Sequence, residues 1–297
     1  MGEATSSSGL AQVLFGGFTT GCLYAVLLLG VLIVFQVSKS INFAYGQIGM
    51  VAALGAWSLY SGAGLPVWLA LVIGAVVAVL LSSAIDFVAI RRIPEGRPGI
   101  DLVVTLGIFL LLTAVMQRIV DANSHTFVAL GADTRTTIGG VFVSVNDVVV
   151  IVVAVAAVTV ARLLLTRTTL GTSLRASAED ATIAAAAGVN VKRLRTGTWA
   201  VAGLLAAVVG VLVASRLSVD AFYLTPVLVK VFIAGMIGGL DRFIVPLVVA
   251  VLLGVYESTA VFLLGANAGT PAVFLLIIVA LAVMPKRLVN ERNEVRA

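Results

Sequence analysis

From Ser40 to Ile85 the chain carries no charged residue. A helix crosses the hydrocarbon core of a bilayer with about 20 mostly apolar residues. This stretch has room for two such helices, and Ser61-Gly62-Ala63-Gly64-Leu65-Pro66 supplies the break between them. A soluble domain with so long an uncharged run could not cover its surface with polar groups. The whole chain repeats the pattern. Of its 297 residues 61% are hydrophobic and 11% charged, against about 25% charged in soluble domains. The chain is therefore read as an all-α polytopic membrane protein with a single transmembrane domain over residues 1–297.

Further apolar runs extend the count. Ala4–Ser38 holds a first span, Leu102–Gln117 a fourth and Val148–Ala161 the core of a fifth. Thr196–Ser215, Ala221–Leu240, Phe243–Leu264 and Thr270–Pro285 follow, two of them interrupted by Lys230 and Glu257. The expectation is about nine transmembrane helices (eight to ten). The polar start of the second span, near Ile41, also fits a re-entrant segment. Residues 1–9 carry Glu3 and no Lys or Arg, so the first span lacks the basic leader of a secretory signal and reads as permanent.

Basic residues set the orientation. With the C-terminus in the cytoplasm and the N-terminus outside, Lys39, Arg91, Arg92, Arg97, Arg162, Arg167, Arg175, Lys192, Arg193, Arg195 and Arg242 fall inside, with Lys286, Arg287, Arg292 and Arg296. Arg118, Arg135 and Arg216 fall outside. This asymmetry is what the positive-inside rule requires. The net charge of +5 then reflects membrane topology and contact with lipids, and no nucleic-acid partner is expected. One cysteine, Cys22, and one histidine, His125, exclude an internal disulfide and leave no paired-histidine or cysteine metal site.

Two loops are long. The extracytoplasmic loop, 121–147, holds two β-prone runs around Gly139-Gly140, the pattern of a short hairpin. His125 within it reads as an inert loop residue. The cytoplasmic loop, 166–195, predicts a helix of about four turns near 172–188. Thr172 or Ser173 caps its start, an alanine run carries it, and Gly188 ends it in the left-handed conformation. Leu174, Ala178, Ile183 and Ala187 form a stripe toward the membrane, and Arg175 and Glu179 an exposed i,i+4 pair. Such a helix either connects two spans or docks a cytoplasmic partner.

Charges inside the membrane are candidate functional residues. Lys230 falls near the bilayer midplane, where a charge costs at least about 2.5–3.5 kcal/mol and must face the protein interior and find a partner. Glu257 lies on the next span, at a depth that differs by roughly 7 Å at 1.5 Å per residue. The pair reads either as a salt bridge that fixes helix register or as a lining of a translocation path, where a zwitterion would meet both charges. Asn42 and Gln47, at the inner start of the second span, read as interhelical glue or as pore lining. Asp86 is within reach of Arg91 or Arg92.

Several of these segments resemble one family. Arg175-Ala176-Ser177-Ala178-Glu179-Asp180, then Gly188-Val189-Asn190, is similar to the coupling loop of the permease subunits of branched-chain amino-acid ABC importers. Ile41-Asn42-Phe43-Ala44-Tyr45-Gly46-Gln47 resembles the family's Ile-Asn-Phe-Ala-His-Gly-Glu, with Tyr45 and Gln47 in place of His and Glu. Lys230, Gly238-Gly239, Pro246, Gly254 and Glu257, and the closing Val283-Met284-Pro285, continue the likeness in the family's order.

The resemblance implies a multi-pass protein of the bacterial inner (plasma) membrane that forms part of a path for branched-chain or other neutral amino acids. It implies a second permease subunit, usually a different chain, two cytoplasmic ATPase subunits and an extracytoplasmic substrate-binding protein. ATP and Mg²⁺ would sit on the ATPase partners, so the chain itself would bind no cofactor and would not be an enzyme. The chain has no Gly-x-x-x-x-Gly-Lys-Ser/Thr phosphate loop. The coupling residues would be Arg175, Ala178, Glu179, Asp180, Gly188 and Asn190, and the path residues Asn42, Phe43, Tyr45, Gln47, Lys230 and Glu257. The departures at Tyr45 and Gln47 leave urea or a short amide open as cargo. An ion-driven secondary transporter is the alternative from another class, although no internal repeat of the kind such transporters show is evident.

Overall fold

In lipid no water is at hand for backbone amides, so apolar segments satisfy them internally as helices. The computed structural model of the chain describes residues 2–39, 41–93, 99–120, 135–216 and 218–283. Its helices are α1 (Gly2–Ser38), α2 (Tyr45–Ser61), α3 (Val67–Val88), α4 (Ile100–Val120), α5 (Val145–Arg167), α6 (Thr169–Glu179), α7 (Ala181–Ala186), α8 (Val191–Ala214), α9 (Thr225–Gly238), α10 (Ile244–Leu264) and α11 (Gly269–Val283). A 3-10 turn, Ile90–Arg92, follows α3. His125, Arg97 and Met284 to Arg296 lie outside the described residues, as does the body of the outer loop up to residue 134.

Among the described residues six helices are long and apolar enough to cross a membrane: α1, α3, α4, α5, α8 and α10. The other three expected spans fall on shorter helices, of which α9 and the end of the chain around α11 are apolar. α2 has 17 residues, α9 has 14 and α11 has 15. At 1.5 Å per residue α9 is about 21 Å long, short of the roughly 30 Å hydrocarbon core. Local chemistry explains its limits. The Asp220 carboxylate accepts the Phe222 N–H at 2.6 Å in a turn before the helix, Pro226 occupies its first turn, and Gly239 ends it at φ 84°. Most of α9 is buried inside the bundle. α2 runs unbroken from Tyr45 to Ser61.

Glycines let the central helices approach to backbone contact. A Cβ on Gly17 would come within 2.7 Å of the Val255 Cα, and one on Gly21 or Gly254 would overlap the facing backbone. α1 and α10 therefore pack more extensively than any other pair described. α8 is held in the same way against α3 by Gly203, where a Cβ would lie 2.6 Å from that of Ser82, and against α2 by Gly210 facing Gly49. By contrast, α4 and α5 turn mostly exposed apolar faces outward.

The outer hairpin forms as its sequence predicts. β1 (Arg135–Ile138) pairs antiparallel with β2 (Val141–Ser144), through Gly139 and Gly140 at φ 59° and 82°. Gln12 on α1 ties it down, donating to the Phe142 carbonyl at 3.2 Å and accepting its N–H at 2.7 Å.

The helix expected over 172–188 differs from the expectation. In place of one helix over 172–188 there are two, with Asp180 extended between them at φ −150°, ψ 110°. The Asp180 carboxylate accepts the N–H groups of Thr182 and Ile183 at 2.7 and 2.9 Å. A short acidic side chain that caps a new helix outweighs the alanine run's tendency to continue the old one. Thr168, rather than Thr172 or Ser173, caps α6. The break also moves the expected stripe: Ser177 and Ala184 are buried, while Ile183 is 68% exposed. Gly188 does take the left-handed conformation, φ 90°.

Substituting Gly21→Val forces α1 and α10 apart and is expected to cost about 1–3 kcal/mol or more. Gly55→Ala, where a Cβ meets nothing within 4 Å, is expected to stabilise by roughly 0.5–1 kcal/mol. Thermal unfolding of the purified protein in detergent distinguishes the two.

Candidate functional site

The glycine crossing of α1 and α10 fixes what lies one turn further along each helix. Three residues beyond Gly21 is Tyr24, and three beyond Gly254 is Glu257. The Tyr24 hydroxyl donates to Glu257 Oε2 at 2.7 Å. Lys230 of α9, 6% exposed, forms an ion pair with Glu257 Oε1, and its Nζ lies 6.0 Å from the centroid of the Tyr24 ring. Both carboxylate oxygens thus have donors, and the ammonium has an anion and an aromatic face. Gly238 meets the Pro246 backbone directly, which closes the α9–α10 turn and lets the Lys230 side chain reach Glu257. Lys230 and Glu257 are the pair that depth counting from the turn anticipates. Tyr24 is not legible in that way, because nothing in its local sequence marks it as a partner of α10.

The second candidate group sits at the start of α2. Asn42 Oδ1 accepts the Ala44 N–H at 3.0 Å, a turn that launches the helix, while its buried Nδ2 has no hydrogen-bond partner among the described residues. Tyr45, 1% exposed, lays its ring over Gly30 and donates to the Ala202 carbonyl at 3.1 Å. Phe43 stacks on Phe232 of α9 with ring centroids 5.1 Å apart. Gln47 is 2% exposed and its Oε1 has no hydrogen-bond partner among the described residues. These side chains face α1, α8 and α9. Among the described residues no hydrogen bond or ion pair joins them to Lys230 or Glu257.

The α6–α7 segment and the link to α8 expose Arg175, Glu179, Asp180 and Gly188, with Ala178 half-buried. No ion pair between Arg175 and Glu179 is present among the described residues, as expected for flexible side chains in water. Asn190 is exposed and caps α8, accepting the Arg193 N–H at 3.0 Å.

Two polar clusters mark opposite ends of the bundle. At one end, near the hairpin, Arg216 pairs with Asp147 at 2.6 Å and donates to Thr19. Asp147 also completes a capping box with Ser144 at the start of α5. Burial pulls the Arg216 pKa below its ordinary value, against the opposing field of the Asp147 carboxylate. At the other end Lys39 pairs with Asp241 at 3.0 Å, and Asp86 gathers a larger cluster. Asp86 is fully buried. Its Oδ2 accepts from Thr196 at 2.9 Å and from Arg91 at 3.4 Å, and Arg195 Nε stands 2.8 Å from Oδ1. Arg91 is the partner the sequence suggests. Arg195 and Thr196 come from a span more than a hundred residues away, which local spacing cannot reveal.

A family described as branched-chain amino acid transport system / permease component matches residues 13–284. The chain is similar to the high-affinity branched-chain amino acid transport system permease protein LivH of Escherichia coli (strain K12), 25% identical over 293 residues, covering 92% of this chain and 93% of that one. It is 26% identical to the corresponding protein BraD of Pseudomonas aeruginosa, covering 92% and 94%. It is also 26% identical to a probable LivH of Methanocaldococcus jannaschii, covering 88% and 84%. Among solved structures, a chain of PsaBC from Streptococcus pneumoniae in complex with Fab superposes with a TM-score of 0.53 at 12% identity over 94% of each chain. That likeness is one of fold.

If Lys230, Glu257 and Tyr24 act as one buried unit, Lys230→Met alone strands the carboxylate and costs about 3–5 kcal/mol. Lys230→Met combined with Glu257→Met is expected to recover most of that loss in thermal unfolding. Additive losses in the double variant would contradict the coupling.

Proposed function

This chain belongs to the permease-component family of branched-chain amino acid transport systems, and from that premise we propose that it forms half of an ATP-driven import path for branched-chain amino acids. The observation that carries this reading is the family match over residues 13–284. As a transmembrane permease subunit, the chain supplies a path and draws its energy from elsewhere. The relatives' names give no support to urea, a short amide or an ion gradient, so the alternatives raised by Tyr45 and Gln47 are set aside.

In this reading nine helices cross the bacterial inner membrane: the six long ones, with α2, α9 and α11 held inside or against the bundle. The end that carries Asp86, Arg91, Arg195 and Lys39 faces the cytoplasm, as the excess of Lys and Arg requires. The hairpin end faces outward, toward a substrate-binding protein. Two cytoplasmic ATPase subunits hold ATP and Mg²⁺, and a second permease subunit completes the path. α6 and α7 dock one ATPase. Arg175, Glu179 and Asp180 offer it exposed charge, Ala178 a small contact, and Gly188 and Asn190 fix the exit into α8.

Asn42, Phe43, Tyr45, Gln47, Lys230 and Glu257 set the shape of the path's wall in this reading. Lys230 and Glu257 already neutralise one another, so a zwitterionic cargo could use them only after the pair opens. Their burial supports a role in holding α9 and α10 in register.

Docking predicts that Glu179→Arg or Gly188→Pro weakens capture of the ATPase subunits about tenfold or more, at least 1.4 kcal/mol of binding, while membrane insertion is unchanged. Affinity capture of the tagged chain with its partners measures this, and undiminished capture in both variants would refute the docking role.

A further inference from the structure

Resting on the permease reading, we propose that Asp86 is a positioning residue for energy coupling: it clamps the first turns of α8 to α3, so that a displacement of α6–α7 moves both helices together. The link from α7 to α8 has little slack. The Ala187 N–H donates to the Ile183 carbonyl, Gly188 to Ala185, Val189 to Ala184, and Val191 to Val189, all at 2.9–3.0 Å. Asn190 then caps α8. A short linker bonded in this way transmits motion rather than absorbing it.

What α7 pushes is the part of α8 that Asp86 holds. Lys192, Arg195 and Thr196 lie in the first two turns of α8. The Lys192 carbonyl accepts from Arg91 at 3.3 Å, Arg91 also meets Thr196, and Thr196 and Arg195 reach Asp86. Arg91 sits over the Phe87 ring, 5.0 Å from its centroid, which anchors the guanidinium to α3. Further along, Ser82 donates to the Trp199 carbonyl at 2.6 Å and Gly203 rests on Ala78 and Ser82, so α3 and α8 travel as one body. That body touches α2 through Tyr45 and Gly49, and so reaches the helices of the path.

A purely stabilising role accounts poorly for this arrangement. A buried ion pair adds little net stability, because desolvation offsets its attraction. Packing of Gly203 on Ala78 joins the two helices further along, and leaves the first turns of α8, where α7 enters, to be held by Asp86. A carboxylate that collects two guanidiniums and a hydroxyl fixes geometry, and it does so at the place where the cytoplasmic segment enters the bundle.

The test uses the whole transporter, reconstituted with its ATPase, second permease and binding-protein partners. Asp86→Asn, and Thr196→Val as the shape-conserving variant, are compared with wild type for partner capture, ATP hydrolysis and amino acid taken up per ATP. The expected result is normal capture and continued hydrolysis, with uptake per ATP lowered about fivefold or more, the lower end of typical coupling between sites. A wild-type ratio in the assembled Thr196→Val transporter overturns the proposal. Loss of assembly in both variants overturns it too, making the cluster a folding element. If wild type captures no ATPase, it is the permease reading that falls, and the clamp with it.

Discussion

The contact on which most of the bundle depends is the crossing of α1 and α10 at Gly17, Gly21 and Gly254. In lipid there is no gain from hiding apolar surface, since the tails are as apolar as the helices, and association rests on close packing and interhelical hydrogen bonds. Glycine allows backbones to touch. The same approach brings Tyr24 and Glu257 within hydrogen-bonding distance and leaves Lys230, on the short helix α9, a partner for a charge that could not face hydrocarbon. α9 is too short to cross the core unaided, yet it is enclosed by its neighbours. The ion pair of Lys230 with Glu257 joins it to α10.

Energetics and function then part company in an informative way. The charges deep in the bundle pair with one another inside this chain. The charges at its ends tie helices to the loops and helices that face water. Such a molecule has ways to hold its shape and to move helices together. In the proposed reading it takes its driving energy from ATPase partners that meet it at its cytoplasmic end.

Much of this is legible in the sequence because the bilayer imposes a length on its apolar segments. Uncharged runs marked the long helices, and Gly139-Gly140 marked the hairpin. Lys230 and Glu257 could be matched by counting residues from the turn at Gly239. Two kinds of feature escaped. Local competition was misjudged at Asp180, where a side-chain cap outweighs the helix propensity of Ala184 to Ala187. Partners from distant segments, Tyr24 for Glu257 and Arg195 for Asp86, carry no periodic signal, since which helices become neighbours is decided by packing. The helix lengths of α2 and α9 depend on turns set by Asn42 and Asp220, side chains whose bonds are visible only once the backbone is placed.

The central claim is that this chain is a path whose power comes from other subunits. Uptake of labelled leucine into proteoliposomes tests it most directly. The account predicts accumulation only when the chain is reconstituted with its second permease and ATPase subunits, and supplied with binding protein and ATP on their respective sides. Leucine uptake by the chain alone, driven by a proton or sodium gradient without ATP, would contradict it.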